Sequence, residues 1–379
     1  MAELKPNGGH VDRVRTGSHG KLIGILVALV SLAITLLALE VVVRIVSPQR
    51  YLTCTVNTWD PVVGIKQVPK SKGFWYMPEY KTDFVINSKG LRDREFPYAK
   101  PRGTRRILTL GDSFTCGYGV RAEETYPKVL ERILRSDSAR TVNWEVINAG
   151  VGSMGTANEL AFFEAECYKY SPDLVTLAFF QNDFMENISA DLYTLEGGKL
   201  TKHDAPRTGW TRIQQGVHFL PGYRTFSANS QLFSFIRGRL SAVYRRSLSK
   251  KYGEPGNVTT EPLKGLELTE ALLIALRDAC TQRGCPFVVL MVPKVDCSDW
   301  TERTSLLIQY LRQQGVTVID PTLEFRQRSA AGSVLYYPLD NHWTKAGHEL
   351  AAEVLYKYVK ANPTLATLSA TPEVTPATR

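Results

Sequence analysis

Beyond residue 105 the chain alternates between compact apolar runs and helical patterns. The apolar runs fall at 107–110, 146–147, 174–180, 287–292 and 316–319. They are short and several are β-branched, as in strands covered on both faces. Helical spacing is read at about 124–135, 156–169, 266–282, 301–314 and 345–360. Strands alternating with helices predict a mostly parallel sheet with helices on both sides. The alternation breaks at about 184–262, too long a stretch for a simple connection, so an insertion with a functional or lid role is expected there.

The first strand leads directly into Gly111-Asp112-Ser113, followed by Phe114-Thr115-Cys116-Gly117-Tyr118. A serine on a tight turn at a strand end holds its hydroxyl at the rim of the sheet, where α/β folds place their chemistry. Most serines are surface or capping residues, so a base, an orienting carboxylate and oxyanion donors must accompany it. Three further segments offer them. Asn148-Ala149-Gly150-Val151-Gly152-Ser153-Met154-Gly155 follows a strand, and a glycine-rich turn lets a backbone N–H approach a reacting group. Gln181-Asn182-Asp183 ends another strand, and the Asn182 amide can donate to an oxyanion. Taken singly, these two would be an ordinary loop and a helix cap.

The last segment is Asp340-Asn341-His342-Trp343-Thr344, just before the final helix. Histidine is the usual base for a serine nucleophile, and a carboxylate two residues earlier can turn back to hold its tautomer. The chain has six histidines. His10 and His19 precede a long apolar run, His203 and His218 lie in the insertion, and His348 sits on the final helix, where core packing or solvent is its expected fate. His342 alone combines a strand-end context with a close carboxylate.

Together these segments resemble the SGNH/GDSL hydrolase superfamily, whose four blocks carry Ser, Gly, Asn and His in that order, with Asp shortly before His. The resemblance covers roughly 105–183 and 280–360. It implies a three-layer α/β/α sandwich around a flavodoxin-like five-stranded parallel sheet. It also implies catalysis by Ser113, His342 and Asp340, with an oxyanion hole from the Ser113 N–H, the N–H of Gly152 or Ser153, and the Asn182 side chain. Two departures are present. Phe180-Gln181 precede Asn182-Asp183 where relatives commonly carry Gly-x. The second glycine of the family's Asn-x-Gly-x-x-Gly block falls on Ser153, with glycine one residue earlier at Gly152. The Asp-x-His-Trp-Thr pattern also resembles a block of alginate O-acetyltransferases, although there it precedes the serine.

Residues 22–39 are apolar apart from Ser31 and Thr35, and the run continues through Glu40 and Arg44 to Val46. This length crosses a bilayer. A cleaved signal peptide is the alternative, but the preceding segment is long for one and no Ala-x-Ala-like site follows. Arg13, Arg15 and Lys21 before the span outnumber Arg44 and Arg50 after it, which favours a cytoplasmic N-terminus and an exported domain, periplasmic in a Gram-negative source. The resulting division is a tail at 1–21, an anchor at 22–46, a loop-rich lead-in at 47–104, a hydrolase domain at 105–362 and a disordered tail at 363–379. The lead-in and anchor look like those of bacterial membrane-tethered relatives.

Formal net charge is +9, but no zinc-finger, RRM or helix-turn-helix pattern accompanies it, so no nucleic-acid partner is expected. Much of the basic excess lies in 207–251. There Leu232, Phe233, Ile236, Leu240, Val243 and Tyr244 recur at helical spacing beside Arg237, Arg239, Arg245, Arg246, Lys250 and Lys251. Such a helix can lie on anionic lipid, although packing on the domain with a solvated basic face is the favoured expectation. The six cysteines have no zinc spacing, and Cys280 and Cys285 can be read either as a bridge or as buried thiols. No metal or organic cofactor is implied. The expected reaction is hydrolysis of an acyl ester, acetyl or short-chain, on an extracytoplasmic carbohydrate or lipid. The alternatives are O-acetylation of a cell-surface polysaccharide and an inactive glycan-binding or scaffold protein.

Overall fold

The structure, a computed structural model, describes residues 18–47, 56–77, 79–137, 142–203, 216, 220–252, 263–362 and 365. Both expected tails lie almost wholly outside these residues, as do Cys54 and His218. The chain opens on an apolar helix, α1 (Ser18–Val46), whose stretch Gly20–Val46 is long and apolar enough to cross a membrane. The lead-in is more ordered than its loop-rich composition predicts. It forms two antiparallel hairpins, β1 (Asn57–Asp60) with β2 (Gly64–Gln67) and β3 (Lys72–Met77) with β4 (Tyr80–Val85).

The domain core is a five-stranded sheet built from β5 (Thr104–Gly111), β6 (Asn143–Asn148), β7 (Leu174–Phe179), β10 (Phe287–Met291) and β11 (Thr317–Ile319). Its order is β11-β10-β7-β5-β6 and every pairing is parallel, which is the flavodoxin-like arrangement. Connecting helices are α2 (Ser113–Cys116), α3 (Tyr126–Ser136), α4 (Thr156–Ala165), α5 (Asp183–Ala190), α8 (Leu263–Thr281), α9 (Glu302–Gln313), α10 (Thr322–Ala330) and α11 (Lys345–Ala361).

Alternate strand residues face opposite layers. Leu108, Leu110, Val175, Leu177 and Val289 pack with Leu160, Leu272, Leu276 and Leu307 from α4, α8 and α9. Ile107, Val146, Leu174, Val288 and Leu290 pack with Leu130, Leu134, Phe325 and Leu355 from α3, α10 and α11. Burial on both faces explains why these strands read as continuous apolar runs. The chain order reverses between β5 and β7, and ligand sites in such sheets lie at the strand carboxyl ends beside that reversal.

The insertion carries a hairpin, β8 (Tyr193–Glu196) with β9 (Lys199–Lys202), then α6 (Tyr223–Asn229) and α7 (Gln231–Tyr252). The basic segment is therefore helical, but its main partner is α1 rather than the sheet domain. The reason is a cap. The Glu40 carboxylate on α1 accepts hydrogen bonds from the Ser230 hydroxyl and from the backbone N–H groups of Gln231 and Leu232. It thereby satisfies donors that a helix start leaves open. Arg44 pairs with Glu40 at 2.8 Å and donates to the Asn229 carbonyl. Cys280 and Cys285 are buried thiols, with the Cys285 sulfur donating to the Cys280 carbonyl at 3.3 Å.

Candidate active site

Ser113 follows β5 through a turn that only glycine accommodates. Gly111 has a φ of +147°, and a Cβ there would press on the Thr115 side chain and lie 3.3 Å from Ala178 Cβ. Asp112 caps the short helix α2 by accepting from the Phe114 N–H at 2.9 Å. Buried Phe114 packs on Phe180 and Trp343, so the Ser113 hydroxyl is set on a rigid corner at the sheet rim.

The other half comes from the 335–344 loop, which is stitched shut. Tyr336 and Trp343 form a β-bridge, the Tyr337 N–H donates to the His342 carbonyl at 2.8 Å, and the Asn341 N–H donates to the Tyr337 carbonyl at 2.9 Å. Asn341 adopts the left-handed conformation, with φ +62°, as asparagine tolerates. That reversal turns Asp340 and His342 toward each other. Trp343, fully buried in the second core layer, fixes the loop's depth, and Thr344 caps α11.

These pieces meet across 229 residues of sequence. His342 Nε2 lies 2.8 Å from Ser113 Oγ, and His342 Nδ1 lies 2.7 Å from Asp340 Oδ2. A carboxylate at Nδ1 keeps the ring proton there and leaves Nε2 free to accept from the serine hydroxyl. In such an arrangement the imidazole can take the hydroxyl proton as the oxygen attacks a carbonyl. Two rings flank the imidazole: Phe114 at 5.1 Å and Tyr118 at 5.4 Å between centroids.

The remaining sequence-predicted residues gather at the same rim. Asn182, after β7, donates its amide to Asp112 Oδ2 at 3.3 Å. The Gly152/Ser153 turn is tied to the serine corner because the Val151 N–H donates to the Gly111 carbonyl at 3.0 Å. Within that turn Ser153 adopts a φ of +68°, the backbone that a glycine would favour. The structure thus shows a glycine-like conformation where the sequence carries serine.

A group of carboxyls lies beneath the site. Burial, reinforced by charge repulsion, lifts Glu159 and Asp183 well above the ordinary carboxylate range, and burial alone raises Asp112. Among the described residues, no group of three or more His, Cys, Asp or Glu side chains is arranged to hold a metal ion.

Sequence reasoning missed the contribution of the lead-in. Arg92, 1% exposed, donates to the carbonyls of Cys116, Gly117 and Val120 just after α2 and to that of Asp83 on β4. Gln67 donates to the Cys116 sulfur, and Tyr80 and Glu79 reach the Asp340 loop. The available signal was the aromatic cluster Trp75, Tyr76 and Tyr80.

A family model described as the GDSL-like lipase/acylhydrolase family matches residues 109–350. No curated protein matches the sequence. Among solved structures, an acetylxylan esterase from Geobacillus stearothermophilus is similar at 14% identity, with 67% of this chain and 94% of that chain covered and a TM-score of 0.40. A psychrotrophic esterase from Pseudoalteromonas sp. aligns at 15% identity over 68% and 97% of the two chains, with a TM-score of 0.38. A two-domain esterase active on acetylated mannans aligns at 14% identity over 72% of this chain and 52% of that one, with a TM-score of 0.39.

Proposed function

Because the chain belongs to the GDSL-like lipase/acylhydrolase family, we propose that Ser113, His342 and Asp340 form the catalytic triad of an exported, membrane-anchored serine esterase acting on an acylated carbohydrate or lipid. The observation that carries this reading is the unbroken relay from Ser113 Oγ to Asp340 Oδ2, with steps of 2.8 and 2.7 Å. Ser113 Oγ attacks the ester carbonyl while His342 Nε2 takes its proton. The imidazolium, held by Asp340, returns that proton to the leaving alcohol, giving an acyl-serine that water then hydrolyses by the same route.

The tetrahedral oxyanion is held by the Ser113 N–H, the Asn182 amide and the N–H of the 152–153 turn. Ser153, whose backbone takes the conformation that a glycine favours, is assigned as the donor from that turn. Loss of one such donor typically costs about 3 kcal/mol in the barrier. Helix 22–46 is assigned as the anchor, with the domain at 105–362 outside the cytoplasm. The basic residues Arg13, Arg15 and Lys21 before the span support that orientation.

The test is fluorophosphonate labelling of the full chain in detergent, with mass-spectrometric mapping of the adduct. Labelling at Ser113, lost in Ser113→Ala together with p-nitrophenyl acetate hydrolysis, is expected. An adduct elsewhere, or unchanged hydrolysis by the variant, refutes the assignment. Acetyl transfer to an oligosaccharide in preference to water would make the enzyme an acyltransferase with the same acyl-serine.

A further inference from the structure

The loop that presents Asp340 and His342 is held from outside the matched 109–350 region, by the hairpin β3–β4. The Tyr80 hydroxyl donates to Asp340 Oδ2, the same oxygen that faces His342 Nδ1. One residue earlier, the Glu79 carboxylate accepts from the backbone N–H groups of Leu339, at 3.1 Å, and Asp340, at 3.0 Å. The Tyr80 ring lies 4.6 Å from the Tyr337 ring, and the Tyr337 hydroxyl donates to the Gly119 carbonyl at 2.9 Å. Two adjacent lead-in residues thus grip both the side chain and the backbone of the carboxylate residue.

On the triad reading given above, we propose that Glu79 and Tyr80 are positioning residues for the reaction: Glu79 fixes the backbone of Asp340, and Tyr80 orients its carboxylate and tempers its basicity toward His342. The phenol is suited to this. Burial, and then the neighbouring carboxylate, push its own ionisation far above the usual phenol range, so it stays a donor at any working pH. A carboxylate oxygen shared between a phenol and an imidazole is a weaker partner for imidazolium than one facing imidazole alone. Tyr80→Phe leaves that oxygen to His342 alone.

Other titratable groups face this pair from every side. Asp112 on the β5–α2 turn and His348 on α11 interact electrostatically with His342. Tyr337 and Glu79 lie beside Asp340, and Tyr118 packs on the imidazole. Tyr80→Phe removes a single oxygen and leaves all of these groups in place.

The experiment compares kcat and KM of the full chain in detergent, parent against Tyr80→Phe, with p-nitrophenyl acetate from mildly acid to mildly alkaline pH. Loss of one charge-assisted hydrogen bond made to the relay should lower kcat about tenfold, with KM held within about twofold. The acid limb of the profile should move up by about half to one pH unit, because the freed carboxylate favours imidazolium. A fall in kcat without movement of the acid limb would reduce Tyr80 to scaffolding and overturn its proposed role, as would a profile superimposed on the parent's. Glu79→Ala should lower kcat at constant KM, and Glu79→Gln, whose amide oxygen still accepts an N–H, should recover most of it. No loss in Glu79→Ala overturns the backbone half even if the tyrosine variant folds poorly. Ser113→Ala in the same assay separates the two levels. Activity surviving there removes the triad reading and this inference with it, whereas a dead Ser113→Ala beside fully active Tyr80→Phe and Glu79→Ala removes the inference alone.

Discussion

The hydroxyl of Tyr118 occupies the space that a side chain at position 152 would fill. A Cβ built on Gly152 would press directly on that oxygen and lie 2.5 Å from the ring carbon that bears it. The same ring packs on Trp75, Phe84 and His342, so it cannot retreat without disturbing the base. Gly152→Ala is expected to cost about 1–3 kcal/mol of stability through overpacking. It should lower kcat as well. Gly152→Ala combined with Tyr118→Phe should recover only part of the loss, since the ring carbon remains. Thermal unfolding and steady-state kinetics on the two variants check this.

Asn182 sits where β7 ends, with its amide resting on Asp112 in the absence of substrate. In the proposed role of oxyanion donor it would act in the transition state rather than on the bound ester. Asn182→Ala should therefore lower kcat about 10²–10³-fold. KM should change little. Steady-state kinetics decide the point, and a defect confined to KM would assign Asn182 to substrate binding instead.

Arg92 is a buried cation that spends its guanidinium on main-chain carbonyls. It donates at 2.8 and 2.6 Å to Cys116 and Gly117, and at 2.8 Å to Val120, while stacking 4.0 Å over Phe84. Arg92→Ala leaves several buried acceptors bare and opens a cavity, at an expected cost of at least about 3 kcal/mol. Arg92→Lys should restore less than half, because an ammonium cannot reproduce the planar fork. Urea denaturation of both variants measures the difference.

His348 shows a different use of histidine. It is fully buried, and its Nδ1 accepts the Tyr126 N–H at 3.2 Å, so the ring is neutral. Burial, helped by the charge of Arg92, pulls its pKa down from 6.5 to about 3. The unfolded chain takes up this proton below about pH 6.5 and the folded one does not, so stability present above that value falls on acidification. The slope is about 1.4 kcal/mol per pH unit for one proton. His348→Asn, which keeps an acceptor for Tyr126, should be less stable than the parent at neutral pH but should lose stability less steeply on acidification to about pH 4. Denaturation midpoints across that window check the sign.

Much of this architecture was legible in the residues. The five core strands announce themselves because burial on both faces demands unbroken apolar runs, and Ser113, Asn182, Asp340 and His342 stand at strand ends or in a turn before the last helix. What was hidden depends on partners distant in sequence. Strands β3 and β4 mix Lys72, Lys81 and Asp83 with Phe74, Trp75 and Phe84, so their composition resembles a loop, and only packing against the serine corner orders them. The grip of Glu79 on Asp340 spans 261 residues and has no local periodicity to reveal it. The left-handed backbone at Ser153, with φ +68°, was equally hidden, because residue type alone does not specify it.

The carboxylate of Glu40 has a consequence for how this enzyme can be handled. An enzyme trimmed of its apolar leader to make it soluble would start α7 with the Ser230, Gln231 and Leu232 donors bare to water. The long insertion would lose its tether, while the relay from Ser113 to Asp340 would keep all its own contacts. Catalysis measured on such a fragment would describe the sheet domain, but not an insertion that Glu40 still holds in place.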